Sequence, residues 1–330
     1  MKILMPHVVL VTSKFFLENR GIHTELLEEH GCVVKGRNGY RPLSSPELAG
    51  LVGDVEALIA GGDEIDAVVI AAAPCLRVIS RLGVGYDRVD LQAATRAGVV
   101  VTTTPGTNHK AVAELALGLM IALARHLPVM VERGRAGDWT RQPGMELAGK
   151  TLGILGLGQI GQALAVRARA LEMDVLAFDP VEDARLAARH GVHYLPLPEV
   201  LRRSDFLSLH LPATPGAAPL LGQAELRAMK RGAFLINTAR GSLADEAALY
   251  AALVDGHLAG AALDVFAQEP PTAGPLLALP NVLPTPHIGA STVESGRRSA
   301  LLATENVLQV LRGERCPNAV NPEVYDPSLA

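Results

Sequence analysis

The stretch LGILGLGQIGQALA, Leu152 to Ala165, decides how this chain is read. The apolar run Leu152–Leu155 reads as a buried strand, and a helical periodicity begins at Gln159, just past two glycines. In GLGQIG, Gly156 permits a tight turn, Gly158 lets the backbone approach a pyrophosphate, and Gly161 lets the helix pack on the strand. A helix opening at Gln159 and Ile160 turns N–H groups and a positive dipole end toward such an anion. The next apolar strand, DVLAFD, ends in Asp179, an acceptor for two ribose hydroxyls whose charge opposes a 2′-phosphate. NAD is therefore the cofactor indicated. Capping the next helix is an ordinary alternative use for Asp179, and nearby Arg185 leaves NADP open.

Working outward, the motif lies almost halfway along 330 residues, a length that suits two domains. Upstream, strand and helix patterns alternate from the first residues: a strand over Val8–Thr12, one helix through KFFLENRGIHTELLEEHG, then CVVKG, VEALIAGG, LRVISRLG and GVVVTTTP as strands, with AVVIAAAP a short helix. HKAVAELALGLMIALARHLPVMVERGRAGDW reads as a long helical region apolar on more than one face, one covered by its own domain and another by a second subunit in a homodimer, with burial inside a monomer the ordinary alternative. From Lys150 the βα alternation restarts, and it ends in the helix TVESGRRSALLATENVLQVLRG, which returns to the first domain, and a Pro-rich tail. The fold expected is α/β, with two doubly wound parallel sheets. A Rossmann NAD-binding domain, residues 105–289, is inserted into a smaller substrate domain of residues 1–104 and 290–330, with the chemistry in the cleft between them.

A formal net charge of −4 with scattered Lys and Arg gives no basic stripe for nucleic acid. Cys32, Cys75 and Cys316 are far apart and lack metal-ligand spacing, so they read as reduced thiols of a cytoplasmic protein with no metal site. MKILMPHVVLV, broken by Pro6 and His7, reads as a first strand rather than a leader, and no apolar run is long enough to span a bilayer.

Three polar residues follow apolar strands of the nucleotide-binding half: Arg240 in INTARGS, Glu269 in VFAQEPP and His287 in TPHIGAS. Taken singly they are a surface cation, a loop acid and a core imidazole. Together with RLGVGYDRVDLQAATRAGVVVTTTP, AVAELALGLM, LGILGLGQIG and DFLSLHLPATP, they resemble in order and spacing the D-2-hydroxyacid dehydrogenases, which include phosphoglycerate, glycerate and D-lactate dehydrogenases. The resemblance, over residues 55–313, implies hydride exchange between NAD and a small D-2-hydroxy acid or its 2-keto acid; the homodimer through residues 109–135 is expected from the apolar faces of that region. The resemblance implies that Arg240 holds the substrate carboxylate and carbonyl oxygen, that His287 is the acid–base group and that Glu269 is its carboxylate partner. It also implies that Val84 and Gly85 offer backbone N–H groups to the carboxylate and that Arg81 and Asn108 line the cleft. Asp264 would meet the nicotinamide carboxamide, and Thr214 and Ala239 the nicotinamide ribose.

Three other activities fit the same pattern: D-3-phosphoglycerate dehydrogenase, phosphite dehydrogenase and a non-enzymatic NADH-sensing regulator. On the loop after the third strand, phosphoglycerate dehydrogenases carry a phosphate-binding Arg where this chain has Ala60, with Asp63 and Glu64 just behind. A carboxylate facing the substrate there would repel a phosphate, which points to hydroxypyruvate or glyoxylate. Lys14 or Arg41 could offset that repulsion.

Overall fold

The computed structural model describes residues 6–37, 41–214, 216–271 and 274–326, so residues 1–5 of the N-terminal stretch and 327–330 of the tail lie outside it. The chain forms two compact units, residues 1–108 with 291–330, and residues 109–290.

The first unit runs β1 (His7–Val11), α1 (Lys14–Glu18), α2 (Ile22–Glu29), β2 (Cys32–Gly36), α3 (Ser45–Ala49), β3 (Ala57–Ala60), α4 (Ala67–Ala71), β4 (Val78–Arg81), α5 (Leu91–Arg96) and β5 (Val100–Thr102). Its five strands pair in parallel in the order β2-β1-β3-β4-β5, a doubly wound topology whose direction reverses between β1 and β3. β3 and β4 are buried along their whole length, as apolar runs covered on both faces must be.

The second unit runs α6 (His109–Ala124), α7 (Leu127–Arg135), β6 (Thr151–Leu155), α8 (Gln159–Ala170), β7 (Asp174–Phe178), α9 (Ala184–His190), β8 (His193–Tyr194), α10 (Leu197–Arg203), β9 (Phe206–Leu209), α11 (Gln223–Ala228), β10 (Ala233–Asn237), α12 (Glu246–Val254), β11 (Leu258–Leu263) and β12 (Val282–Pro284). Its seven parallel strands lie in the order β12-β11-β10-β9-β6-β7-β8, the Rossmann arrangement with its switch point between β6 and β9. α13 (Val293–Leu311) then packs in the first unit against β3, β4 and α2. The tail after it pairs with the edge of that sheet, Val320 N–H donating to the Val101 carbonyl.

Two helices expected to be continuous are broken. The first divides at Asn19–Gly21, where Asn19 caps α1 and extended Gly21 starts α2; Asn and Gly are poor helix residues. The second breaks between α6 and α7 with a bend of 63°. Pro128 would collide with the carbonyl of Ala124 in a continuous helix, and His126 turns the chain with a φ of 52°. Among the described residues no single helix is long and apolar enough to cross a membrane.

Candidate active site

The two residues expected to form an acid–base pair lie on two post-strand segments of the second unit. After β11 the chain carries Glu269, and after β12 it carries His287, whose Nδ1 lies 2.7 Å from Glu269 Oε2. A carboxylate only accepts, so Nδ1 carries the proton and Nε2 is left for exchange. The other Glu269 oxygen accepts the Phe266 N–H at 3.1 Å, which fixes the carboxylate before it meets the ring. The hydrogen bond and charge of Glu269 raise the His287 pKa above its usual value, burial opposes them, Asp264 adds to the rise and Arg240 opposes it. His287 itself sits at φ 52°, an uncommon backbone region for a side chain of this size.

Asp264 ends β11 and is buried, with Oδ1 accepting from the Thr285 hydroxyl at 2.7 Å and from Ile288 N–H at 2.8 Å. Its Oδ2 accepts from Gly289 N–H at 2.8 Å. The residue given a carboxamide contact by resemblance thus also braces the segment that bears His287 on both sides. Arg240 follows β10; buried Asn237 holds its turn by donating to the Arg240 carbonyl at 2.8 Å and accepting from Ala239 N–H at 3.1 Å. Arg240 Nη1 donates to the Ala239 carbonyl at 2.7 Å. Next to it, Gly241 lies against the Phe266–Ala267 backbone so closely that a Cβ would sit 1.9 Å from the Phe266 carbonyl carbon. Only glycine lets the Arg240 turn and the Glu269 segment touch.

The Gly-rich turn is shaped for close approach. A Cβ at Gly156 (φ 103°) would meet the His210 backbone at 2.7 Å, and one at Gly161 would meet the Gly156 carbonyl at 2.1 Å. At Gly158, the N-cap of α8, a Cβ would meet no protein atom, and no side chain caps the helix that Gln159 and Ile160 begin. Asp179 Oδ2 accepts the Leu157 N–H of this turn at 2.8 Å and Oδ1 accepts from Val181 N–H at 2.9 Å. It does not cap the next helix; Asp183 does. Half-buried, Asp179 keeps lone pairs open to solvent.

Sequence reasoning passed over His210 and Thr238, the first residues after β9 and β10. His210 Nδ1 and Thr238 Oγ1 are buried without a protein partner among the described residues, and the strands that bear them are neighbours. The signal was available in LSLHLP and LINTAR, where each follows a buried run. Burial lowers His210 to about 4, so its ring is neutral near pH 7 while His287 is held toward the protonated form. Orphaned polar atoms after β9 and β10, on the same sheet as an uncapped helix N-terminus at the switch point, fit a dinucleotide. Thr214 is exposed after β9, and Ala239 is half-buried after β10.

In the first unit, Arg81 is buried at the end of β4 with Nε 3.4 Å from the Gly85 carbonyl, and Val84 is exposed. Gly83, at φ 138°, turns this loop, and the Thr104 hydroxyl accepts its N–H at 2.8 Å. Asn108 is buried. The loop after β3 differs from expectation. Asp63 faces inward, 1% exposed, accepting from Leu43 N–H at 2.7 Å, Gly61 N–H at 3.1 Å and the Thr12 hydroxyl. A buried carboxylate without such donors would be prohibitively desolvated, so the three bonds hold it in. Glu64 is exposed. Lys14 pairs with Glu18 at 3.0 Å, and Arg41 with Glu47.

Residues 117–289 match the family described as D-isomer specific 2-hydroxyacid dehydrogenase, NAD binding domain. A glyoxylate reductase of Korarchaeum cryptofilum is 42% identical over 86% of this chain and 88% of its own. The chain belongs to the D-isomer specific 2-hydroxyacid dehydrogenases. A D-3-phosphoglycerate dehydrogenase of Methanocaldococcus jannaschii is 42% identical over 90% of the chain, which spans 57% of that protein. The chain thus spans little more than half the length of the phosphoglycerate dehydrogenases it matches. The crystal structure of a glyoxylate reductase from Paecilomyes thermophila superimposes with a TM-score of 0.83 at 31% identity, covering 96% of this chain and 99% of that one. This family fold gives each unit its parallel sheet.

Proposed function

We propose that this family member interconverts a small D-2-hydroxy acid and its 2-keto acid, with NAD as the redox partner and an unphosphorylated substrate of the hydroxypyruvate or glyoxylate kind. The observation that carries the reading is the Glu269–His287 hydrogen bond of 2.7 Å on segments adjoining the Arg240 turn. NADH, when bound, supplies the hydride that adds to the carbonyl carbon. His287 donates its Nε2 proton to the carbonyl oxygen as negative charge develops there, and recovers it from solvent. Glu269 stabilises the imidazolium before transfer and orients the ring. Arg240 offers paired donors to the carboxylate. In oxidation the roles reverse, and neutral His287 takes the hydroxyl proton.

NAD rather than NADP is supported by Asp179, which stands beside the Gly-rich turn with acceptor capacity left. Absence of the phosphate-binding Arg at buried Ala60, together with the paired state of Lys14 and Arg41, supports an unphosphorylated substrate. The repulsion reasoned from Asp63 does not enter, because that carboxylate is turned inward. D-3-phosphoglycerate dehydrogenase is the second reading, favoured by the likeness to the M. jannaschii protein. A homodimer through residues 109–135 is supported by α7, which buries none of its residues and leaves Leu127, Val129 and Val131 exposed. Three free thiols suit a cytoplasmic setting.

NADH oxidation measured with glyoxylate, hydroxypyruvate, pyruvate, 2-ketogluconate and phosphohydroxypyruvate tests the reading. Hydroxypyruvate or glyoxylate should give the highest kcat/KM. A tenfold advantage for phosphohydroxypyruvate, about 1.4 kcal/mol in the transition state, would transfer the assignment to phosphoglycerate oxidation.

A further inference from the structure

The motif LINTARGSLADEAAL holds a second acid that the acid–base pair does not contain. Glu246 is the first residue of α12, yet that helix is capped by Asp245, which accepts the Ala247 and Ala248 N–H groups. Half-buried, the Glu246 carboxylate accepts instead from the Ala267 N–H at 2.8 Å. Ala267 follows Phe266, whose own N–H holds Glu269. Two successive backbone donors of one segment thus point to two glutamates, one of which reaches His287. On the same segment Gly241 presses against the Phe266–Ala267 peptide. Contact of that kind limits approach but gives no directional hold, whereas a charge-assisted hydrogen bond does.

We infer that Glu246 is a positioning residue: by clamping Ala267 it fixes the segment that presents Glu269 to His287, and so keeps the imidazole paired. The inference rests on the acid–base role proposed for His287. The charged groups acting on that ring are Glu269, Asp264 and Arg240. Asp264 is anchored by Thr285, Ile288 and Gly289, and the Arg240 turn by Asn237, so neither depends on Glu246. Loosening Ala267 lets Glu269 leave the ring part of the time and lowers the pH at which His287 loses its proton.

The test compares the full chain with Glu246→Ala and Glu246→Gln, the second retaining an acceptor oxygen without the charge. His287 is titrated by NMR of the imidazole, and kcat/KM is followed against pH in both directions. Expected for Glu246→Ala is a His287 midpoint displaced to lower pH, with the falling limb of reduction and the rising limb of oxidation displaced the same way. Its kcat/KM near neutral pH falls about tenfold, the worth of one hydrogen bond to a charged group. Glu246→Gln keeps the wild-type midpoint and recovers most of the rate. An unmoved midpoint in Glu246→Ala overturns the inference. So does an equal displacement in both variants, which is the signature of a lost charge rather than a lost clamp. Because the titration needs no turnover, failure of wild-type protein to reduce any 2-keto acid sinks the dehydrogenase reading separately.

Discussion

Each unit has a switch point, and the two are finished in opposite ways. In the first sheet the crevice between β1 and β3 is closed from within: Asp63 bridges the Thr12 hydroxyl after β1 to the Gly61 N–H after β3 and adds Leu43. In the second sheet the crevice between β6 and β9 is edged by Gly156, packed on the His210 backbone, and by His210, whose Nδ1 has no protein partner among the described residues. The topology permits a ligand at both places; the side chains permit it at one. Carboxylates tell the same story. Asp63 gives both oxygens to groups that do not titrate near neutral pH, while Glu269 gives one to a backbone N–H and the other to an imidazole. Partner identity, rather than the acid itself, separates the structural role of Asp63 from the chemical role proposed for Glu269.

The largest effect that could break this contrast is at His287. His287→Ala should bind NADH with near wild-type affinity, read by fluorescence titration, yet lose roughly 10² to 10⁴ in turnover, the usual contribution of positioned proton transfer. Turnover within a few-fold of wild type would leave the second unit with no acid–base centre at this position.

Next comes stability, where the two acids should behave differently. Asp63→Ala strands the buried Leu43 N–H and Thr12 hydroxyl, while Gly61 N–H keeps the Thr12 oxygen as acceptor, and should cost about 2–4 kcal/mol. Glu269→Ala strands one donor, the Phe266 N–H, and leaves a His287 ring that is 54% exposed, so it should cost less, about 1–2 kcal/mol. Chemical denaturation followed by circular dichroism measures both. Equal losses would mean that Asp63 is no more structural than Glu269.

How much of this was legible in the sequence depends on which atoms do the work. The strands β3, β4, β6, β7, β9 and β10 were readable because each is an apolar run bounded by turn residues, and their parallel pairing follows from the βα alternation. Helix breaks were passed over because apolar periodicity continues across them, although Asn19–Gly21 and Pro128 mark them in the sequence; only the left-handed turn at His126 leaves no trace in a hydrophobic pattern. Short helices such as α3, α5, α10 and α11 are too brief to complete an amphipathic repeat. At the site, Arg240, Glu269 and His287 stood out as polar residues after strands. Glu246 did not, because its partner is a backbone N–H, which sequence never names. The inward turn of Asp63 was hidden for a related reason: Leu43 and Thr12 lie 20 and 51 residues away in sequence, and only the fold brings them to it.

A pH profile sharpens the contrast further. Reduction requires protonated His287, so kcat/KM for the keto acid should be steady at low pH and fall as pH rises through the His287 pKa. Glu269 raises that pKa. Glu269→Gln removes the charge that favours imidazolium, so the fall should begin at lower pH, and the rise of the oxidative reaction should shift in the same direction. An unmoved profile in both directions would detach Glu269 from the titrating group.

The smallest effect expected is at Asp179, which stands between the two extremes. Like Asp63 it accepts two backbone N–H groups, those of Leu157 and Val181; unlike Asp63 it is half-buried and retains lone pairs. It should therefore act both as a brace of the Gly-rich turn and as an acceptor for ribose hydroxyls. Asp179→Ala removes the acceptor and the charge that opposes a 2′-phosphate, and Arg185 on the following helix is left as a cation nearby. The ratio of kcat/KM with NADH to that with NADPH should narrow by about five- to tenfold, the scale of one ordinary net hydrogen bond. Because α9 keeps its own cap in Asp183, thermal stability should change little. A large drop in melting temperature with the cofactor ratio intact would place Asp179 beside Asp63 as a structural acid and leave cofactor choice to other residues.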